Sequence, residues 1–105
     1  MAGCLQVITT IDTKERADAI GKRLLEEQLA ACVQTEGPIS SSYWWKGEIE
    51  TAEEWRCTIK TTVERYDEVE RTIRSIHSYE EPEIISLTIT AGSSTYLKWI
   101  EDSLA

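Results

Sequence analysis

Apolar residues recur along the chain with two spacings, one typical of strands and one typical of helices. The run Leu5–Ile11 is rich in β-branched residues and partly apolar on both faces, so it predicts a central strand. Helical spacing follows, with Asp12 as the predicted N-cap, Glu15 as its capping-box partner, and a helix end near Leu29. The chain is therefore predicted to begin with a central strand and an amphipathic helix.

Two long extended segments occupy residues 30–61 and meet at Lys46-Gly47. A glycine in a short connection adopts the positive φ that a tight turn requires, so a long β-hairpin is predicted. Gly37-Pro38 interrupts the first arm, and proline cannot donate to a sheet, so a bulge or an edge position is expected there. Strands usually run about 5–6 residues, and the excess length of these arms predicts a partner surface. The second arm alternates like a half-buried strand, with apolar side chains at Trp55, Cys57 and Ile59.

The second half of the chain returns to helix and strand. Thr61 and Glu64 have capping-box spacing, and an apolar helical stripe follows them up to His77. Residues 84–89 are the predicted fourth strand, and Gly92 precedes a cap and a short C-terminal amphipathic helix. This order predicts an α+β fold in one domain, residues 1–105: a ferredoxin-like βαββαβ sandwich with a long central hairpin and an extra C-terminal helix. Helices are expected to cover one face of its antiparallel sheet and leave the other face open.

Composition narrows the function classes. The chain has 105 residues, 41% hydrophobic and 29% charged, with a net charge of −8 at pH 7, as is ordinary for a folded soluble protein. That charge disfavours binding to nucleic acids or to anionic membranes, since both need a basic surface. Cys4, Cys32 and Cys57 form no CxxC motif, so reduced thiols packed as small hydrophobes are expected. With no leader or long apolar run in the sequence, the expected location is the cytoplasm.

The chain's single histidine, His77, lies in a segment rich in functional groups. Tyr79, Glu80 and Glu83 follow it, and together they form a candidate ligand-binding or metal-binding segment. A histidine satisfied at the end of a helix is an equally good interpretation, because the helix dipole favours a cation there. One histidine per chain also excludes a multi-histidine zinc site within a single chain.

Other candidate side chains lie on the hairpin. Glu50 belongs to an acidic group whose oxygens suit hard cations, although a solvated face is the more common interpretation without a metal motif. Lys60 could bind an anion, although most such lysines lie on the surface. Aromatic residues near the hairpin and in the last helix could form a pocket but more often anchor interfaces: Tyr43, Trp44, Trp45, Tyr96 and Trp99. No catalytic motif is present, so no enzyme is predicted.

Five linked motifs resemble the CutA divalent-cation tolerance proteins in order and at family spacing, over almost the whole chain. The motifs are LAACV at 29–33, SxYxWxGxIE at 41–50, IKT at 59–61, HxYExPE at 77–83 and YxxWI at 96–100. The resemblance implies a ferredoxin-like homotrimer, similar in architecture to the PII signalling proteins, without an agreed catalytic activity. It also implies a link to copper tolerance and divalent-metal binding, and animal relatives are linked to acetylcholinesterase assembly.

This chain departs from the family pattern at three places. Ser78 and Thr88 stand where the family usually has proline, which loosens the inference that the His77 loop keeps the family geometry. Some members carry a cysteine near the end of the first strand, where this chain has Thr9 and Thr10. A thiolate ligand for a soft metal is therefore absent at that place.

Three functions remain open on the sequence. The first is a copper or other divalent-cation tolerance protein, a homotrimer that binds metal or a small ligand at clefts between subunits, with His77 as the candidate metal ligand and the metal not tightly bound. The second is a PII-like structural or signalling scaffold that binds a protein partner through the aromatic hairpin. The third and least favoured is an enzyme for a small anion, which needs Lys60 and His77 at one cavity.

Overall fold

The computed structural model describes residues 3–105, and its elements follow the predicted order. They are β1 (Cys4–Ile11), α1 (Lys14–Glu26), β2 (Cys32–Trp45), β3 (Glu48–Thr62), α2 (Tyr66–Ile76), β4 (Ile84–Thr88) and α3 (Ser94–Ser103), with one 3-10 turn (Val63–Arg65) before α2. The four strands form one antiparallel sheet in the order β2-β3-β1-β4. The prediction that β1 is a central strand is confirmed, since it pairs with both β3 and β4.

The long hairpin turns at the predicted dipeptide. Lys46 has a φ of 51° and Gly47 a φ of 84°, as a two-residue turn with positive φ at both positions requires. Gly37-Pro38 lies within a register shift between Glu36 and Ile39, and β2 is an edge strand. Both predictions made from this dipeptide are therefore confirmed.

One face of the sheet packs under α1 and α2. Its core contains Val7 and Ile59 from the sheet, Leu24 from α1 and Ile73 from α2, all fully buried. Cys57 lies in the same layer, where its thiol donates to the carbonyl of Ala17 at 3.7 Å. The alternation predicted for β3 is confirmed, because every second residue from Cys57 to Thr61 is buried.

The third helix lies on the opposite face of the sheet, so the prediction that helices cover one face alone is wrong. The side chains of Cys4 and Lys60 point to the sheet face that α1 and α2 do not cover. The Cys4 thiol donates to Leu97 O of α3 at 3.8 Å, so α3 packs on that face. The Lys60 ammonium lies 6.0 Å from the Tyr96 ring centroid. Helix α3 thus covers one end of this second face, and the exposed side chains of Ile85 and Leu87 lie on β4 beside it.

The predicted caps of α1 are displaced. Thr13 is the N-cap, and its hydroxyl accepts the Arg16 N–H at 3.1 Å, whereas Asp12 pairs with the Arg16 guanidinium at 2.8 Å. Both aspartate and threonine are good N-cap residues. Since the helix begins at Lys14, the residue directly before it, Thr13, takes the N-cap position. The helix also ends earlier than predicted, at Glu26, because Gln28 adopts a φ of 55°.

The predicted capping box at Thr61 does not form. Thr61 remains in β3, fully buried, and its hydroxyl donates to Leu29 O at 2.7 Å. The N-terminal cap of α3 is confirmed, since the Ser93 hydroxyl accepts the Tyr96 N–H at 3.1 Å. Within residues 3–105, no helix has the length and hydropathy that crossing a membrane requires.

Candidate functional site

A groove of about 770 Å³ lies between the hairpin and the segment that connects α2 to β4. Its lining residues come from the end of β1, both hairpin arms and that connection: Thr10, Ser41, Ser42, Tyr43, Trp44, Trp45, Glu50, Glu54, Tyr79, Glu80, Glu81, Pro82 and Glu83. We call it the acidic groove, because five of these side chains are glutamates and none is a lysine or an arginine.

The strand register explains which hairpin side chains meet in the acidic groove. Tyr43 pairs with Glu50, and Ile39 pairs with Glu54, so residues of the same parity on the two arms share one face. Side chains directly opposite each other on antiparallel strands have Cβ atoms about 4.5–5.5 Å apart. The ring of Tyr43 and the carboxylate of Glu50 are thereby held as neighbours on the groove wall.

His77 fixes the connection against the sheet. It is the C-cap residue of α2; its Nε2 lies 2.9 Å from Thr10 O, and its Nδ1 accepts the Tyr79 N–H at 3.1 Å. Because a carbonyl can only accept, Nε2 carries the proton and the ring is the neutral Nε2–H tautomer. The rings of His77 and Tyr79 also meet edge to face, with centroids 4.8 Å apart.

Tyr79 links the His77 ring to a buried carboxylate. Its hydroxyl donates to Glu54 Oε2 at 2.7 Å, and Glu54 is only 6% exposed. Burial raises the pKa of the Tyr79 phenol well above its ordinary value, and the hydrogen bond and charge of Glu54 raise that pKa further. The phenol therefore stays protonated and works as a hydrogen-bond donor to Glu54 throughout the neutral range.

We expect the Tyr79 phenol to ionise only at strongly alkaline pH. The difference in absorbance near 295 nm between wild type and Tyr79→Phe should therefore develop well above the ordinary phenol pKa of 10. The stability that this donor contributes is present below pH 10 and is lost as the pH rises through the higher folded-state pKa. A Glu54→Gln variant keeps the shape and removes the charge, so its Tyr79 step should move to lower pH. A step near pH 10 in wild type would contradict the buried contact.

The structure brings most of the predicted site residues together. Tyr79, Glu80, Glu83 and Glu50 line the acidic groove, and so do the hairpin aromatics Tyr43, Trp44 and Trp45. His77 lies behind the groove wall through its contacts with Thr10 and Tyr79.

Three predicted residues lie elsewhere. Lys60 donates to Gln34 Oε1 at 2.9 Å and faces α3, beside Tyr96 and Trp99, whose rings stack 5.6 Å apart. Lys60 pairs with Gln6 of β1, and His77 contacts Thr10, four residues farther along that strand. At about 3.4 Å per residue, Lys60 and His77 are separated by more than hydrogen-bonding distance within one chain, so they share no cavity there.

Sequence reasoning missed Glu54 and Thr10. Glu54 follows Glu50 in the acidic stretch of the hairpin interpreted as a solvated face, yet it is 6% exposed and is the one charged residue that is buried among residues 3–105. The strand register places Glu54 on the same face as Tyr43, and the register shift in β2 lies next to it, so sequence spacing alone carries no signal for this position.

Residues 3–105 contain no cluster of three or more His, Cys, Asp and Glu side chains close enough to hold a metal ion. The ring of His77 has one lone pair, on Nδ1, and the Tyr79 N–H occupies it. The groove offers carboxylate and phenol oxygens, which are donors for hard cations, but they are spread along its walls. Residues 3–105 of one chain therefore do not form a complete metal site, and whether His77 binds a metal stays a prediction.

Comparison with known proteins gives one family. The family model described as CutA1 divalent ion tolerance protein matches residues 5–103. A divalent-cation tolerance protein CutA from Archaeoglobus fulgidus is 40% identical over 98 residues, covering 93% of this chain and 95% of that protein. One from Thermotoga maritima is 39% identical over 98 residues, covering 93% and 96%.

Solved structures of the same kind superpose over nearly the whole chain. The periplasmic divalent cation tolerance protein CutA of Archaeoglobus fulgidus has a TM-score of 0.94 at 38% identity, covering 97% of this chain and 99% of that one. CutA from Xylella fastidiosa has a TM-score of 0.95 at 30% identity, covering 98% and 99%. Agreement at this level extends to the long hairpin and the third helix, since both lie within the matched region.

Proposed function

Because the chain belongs to the CutA1 divalent ion tolerance family, we propose that it is a trimeric divalent-cation tolerance protein. In this proposal residues 1–105 form one ferredoxin-like domain, and three copies assemble around their open sheet faces. Copper or another divalent cation, or a small ligand, binds weakly at clefts between subunits. The protein acts by binding in the cytoplasm and catalyses no reaction.

The observation that carries the proposal is the charge of the acidic groove. Five glutamates line it and no lysine or arginine does, within the part of the chain that the structure describes. Carboxylates gathered in a concave surface raise the local concentration of cations and favour their binding. The described part of one chain holds no complete metal cluster. In this proposal a second subunit supplies the missing ligands at a cleft between subunits.

Two surface features support the assembly. Ile85 is 49% exposed and Leu87 is 44% exposed. Both lie on the sheet face that α3 covers in part, and burying them against another copy is favourable. The outer edge of β2, at the side of the long hairpin, has no strand partner in the described chain. A closed ring of copies pairs or covers such edges without leaving a free one.

Calorimetric titration of the metal-free protein with Cu²⁺ and with Mn²⁺ tests the binding proposal. We expect saturable binding heat at micromolar metal concentration. The affinity of Glu50→Gln should be about tenfold lower, because the loss of one ligand charge costs about 1.4 kcal/mol of binding free energy. Glu53→Gln is the matched control, because it removes the same charge on the same strand outside the acidic groove, and it should bind as wild type does. Absence of saturable binding for every divalent cation tried would contradict the metal proposal.

A PII-like scaffold that binds a protein partner is the second candidate. The side chain of Trp44 is 72% exposed, and it pairs across the hairpin with the exposed Ile49. Aromatic side chains at such a tip are typical anchors of protein interfaces. The same titration separates the two candidates. If the protein is a scaffold alone, adding divalent cations should release no binding heat, and Glu50→Gln should titrate as wild type does.

A further inference from the structure

We propose that Lys60 is the centre of a binding site for a small oxyanion, a phosphate or carboxylate group, in the corner between β3 and α3. Lys60 does not line the acidic groove. The proposal therefore goes beyond the proposed function, because it assigns a second class of ligand to another part of the chain.

The first step is the Lys60 ammonium, which is half-buried and has no counter-charge in the described chain. The seven ion pairs found among residues 3–105 involve other side chains. Lys60 donates to Gln34 Oε1 at 2.9 Å, and its ammonium lies 6.0 Å from the ring centroid of Tyr96. An ammonium group has more N–H donors than this one hydrogen bond uses, and an amide oxygen does not neutralise its charge. The group can therefore still bind an anion.

The second step is the uncharged surface around this ammonium. Gln6 lies directly opposite Lys60 on β1, and Cys32 lies directly opposite it on β2. Since side chains at paired positions are close neighbours, the nearest cross-strand groups do not repel an anion. The oxygen of the Gln34 amide accepts from Lys60, so its NH₂ group is left to donate to a further acceptor. Lys60 and Gln34 together offer charge and donors to one oxyanion.

The third step is a contrast on the same face of the same two strands. Arg56 lies four residues before Lys60 on β3, and its guanidinium pairs with the Glu36 carboxylate of β2 at 3.2 Å. Gln34 reaches Lys60 from β2 in the same way, but it carries an amide where a carboxylate would complete an ion pair. The chain thus neutralises Arg56 internally and leaves the charge of Lys60 for an external anion.

The place of Lys60 in the fold makes a counter-charge more important there than on an open surface. Helix α3 packs on this sheet face through the contact of Cys4 with Leu97, and Tyr96 of α3 borders Lys60. In the proposed trimer the rest of this face is covered by other copies, so the ammonium loses water. A desolvated charge without a partner is costly, and a bound oxyanion removes that cost.

Calorimetric titration of the metal-free native protein with inorganic phosphate, acetate and acetamide at low ionic strength tests the proposal. Acetamide is the neutral counterpart of acetate. We expect both anions to bind saturably, phosphate more tightly because it has more charge and more acceptor oxygens, and acetamide at least about tenfold more weakly than acetate. The ¹H and ¹⁵N resonances of the Gln34 side-chain amide should shift with the same phosphate dependence, since its NH₂ group faces the anion.

Two lysine variants with matched changes locate the site. Lys60→Met should weaken phosphate binding at least about tenfold, because the charge and its donors are lost. Lys46→Met is the control, since Lys46 also lies beside an aromatic ring, 5.6 Å from the Trp45 centroid, and the change removes the same charge at the hairpin tip. Lys46→Met should bind phosphate as wild type does.

Two further variants keep a cation at position 60 and so separate a lost site from a damaged fold. Gln34→Glu places a carboxylate against the Lys60 ammonium, and this internal ion pair should weaken phosphate binding as much as Lys60→Met does. Lys60→Arg keeps the charge and the donors and should retain phosphate binding. Unchanged far-ultraviolet circular dichroism is expected for each variant.

Every outcome supports or overturns the inference. Absence of phosphate binding, equal losses in Lys60→Met and Lys46→Met, full binding by Gln34→Glu, or acetamide binding as tight as that of acetate would each overturn it. Titration with Mn²⁺ separates this result from the proposed function, because Lys60→Met leaves the acidic groove unchanged. Metal binding without phosphate binding overturns only the inference. Phosphate binding with the expected variant pattern but without metal binding supports the inference and contradicts only the metal part of the proposed function.

Discussion

Replacing Leu87 with glutamate is expected to convert the proposed trimer into folded monomers. Leu87 lies on β4 opposite Gln6, on the sheet face that α1 and α2 do not cover, and it is 44% exposed in the isolated chain. Its exposure means that the chain can fold with a carboxylate there, so the change acts on assembly. In a trimer that covers this face, three copies of the carboxylate would be buried without partners.

The size of the effect follows from the cost of burying charge. An unpaired carboxylate moved from water into an interface costs several kcal/mol after relaxation, and about 1.4 kcal/mol changes an association constant tenfold. Three such groups in one assembly would weaken it by many orders of magnitude. The variant should therefore be monomeric at micromolar concentration, where we expect wild type to form the proposed trimer.

Light scattering coupled to gel filtration measures this difference directly. Ser86→Glu is the matched control, because Ser86 is exposed, lies next to Leu87 and points to the other face of β4. We expect three chain masses for wild type and for Ser86→Glu, and one for Leu87→Glu, with unchanged far-ultraviolet circular dichroism. A wild-type monomer would defeat the assembly proposal, and a trimeric Leu87→Glu variant would place the interface elsewhere.

Strong local signals account for the part of the fold that the sequence predicted. The order of elements follows from two spacings of apolar residues, and the hairpin turn follows from the backbone freedom of Gly47. Local patterns fail where tertiary contacts compete with them. Thr61 has the spacing of a helix cap, but its hydroxyl donates to Leu29 O in the core, and this contact keeps it in the strand.

The position of α3 and the burial of Glu54 illustrate a second limit. Both α1 and α3 have an apolar side, and amphipathicity alone does not say which sheet face a helix covers. Glu54 stands in an acidic sequence typical of a solvated surface, and only the fold brings Tyr79 to it across 25 positions of chain. Non-local pairs of this kind need the strand register, which sequence spacing does not give.

His77→Ala is expected to destabilise the metal-free protein and to loosen the acidic groove. The imidazole joins the end of α2 to Thr10 of β1 through Nε2 and orders the connection through the Tyr79 N–H. Each such hydrogen bond contributes about 0.5–1.5 kcal/mol, and a carbonyl left unpaired in the interior adds a further cost. Thr10 is 5% exposed, so we expect a total loss of about 1–3 kcal/mol in the free energy of unfolding.

Chemical denaturation of metal-free His77→Ala, beside wild type and Ser78→Ala, checks this expectation and decides the role of the histidine. Ser78 is the exposed next residue and should be neutral. If His77 positions the connection, its removal lowers stability without metal and weakens copper and manganese binding alike, because both depend on the same groove wall. If His77 is instead a metal ligand, the metal-free stability should stay unchanged and the loss should fall mainly on copper, since imidazole suits copper more than a hard cation. The two hydrogen bonds to the ring favour the first result, and unchanged metal-free stability would refute it.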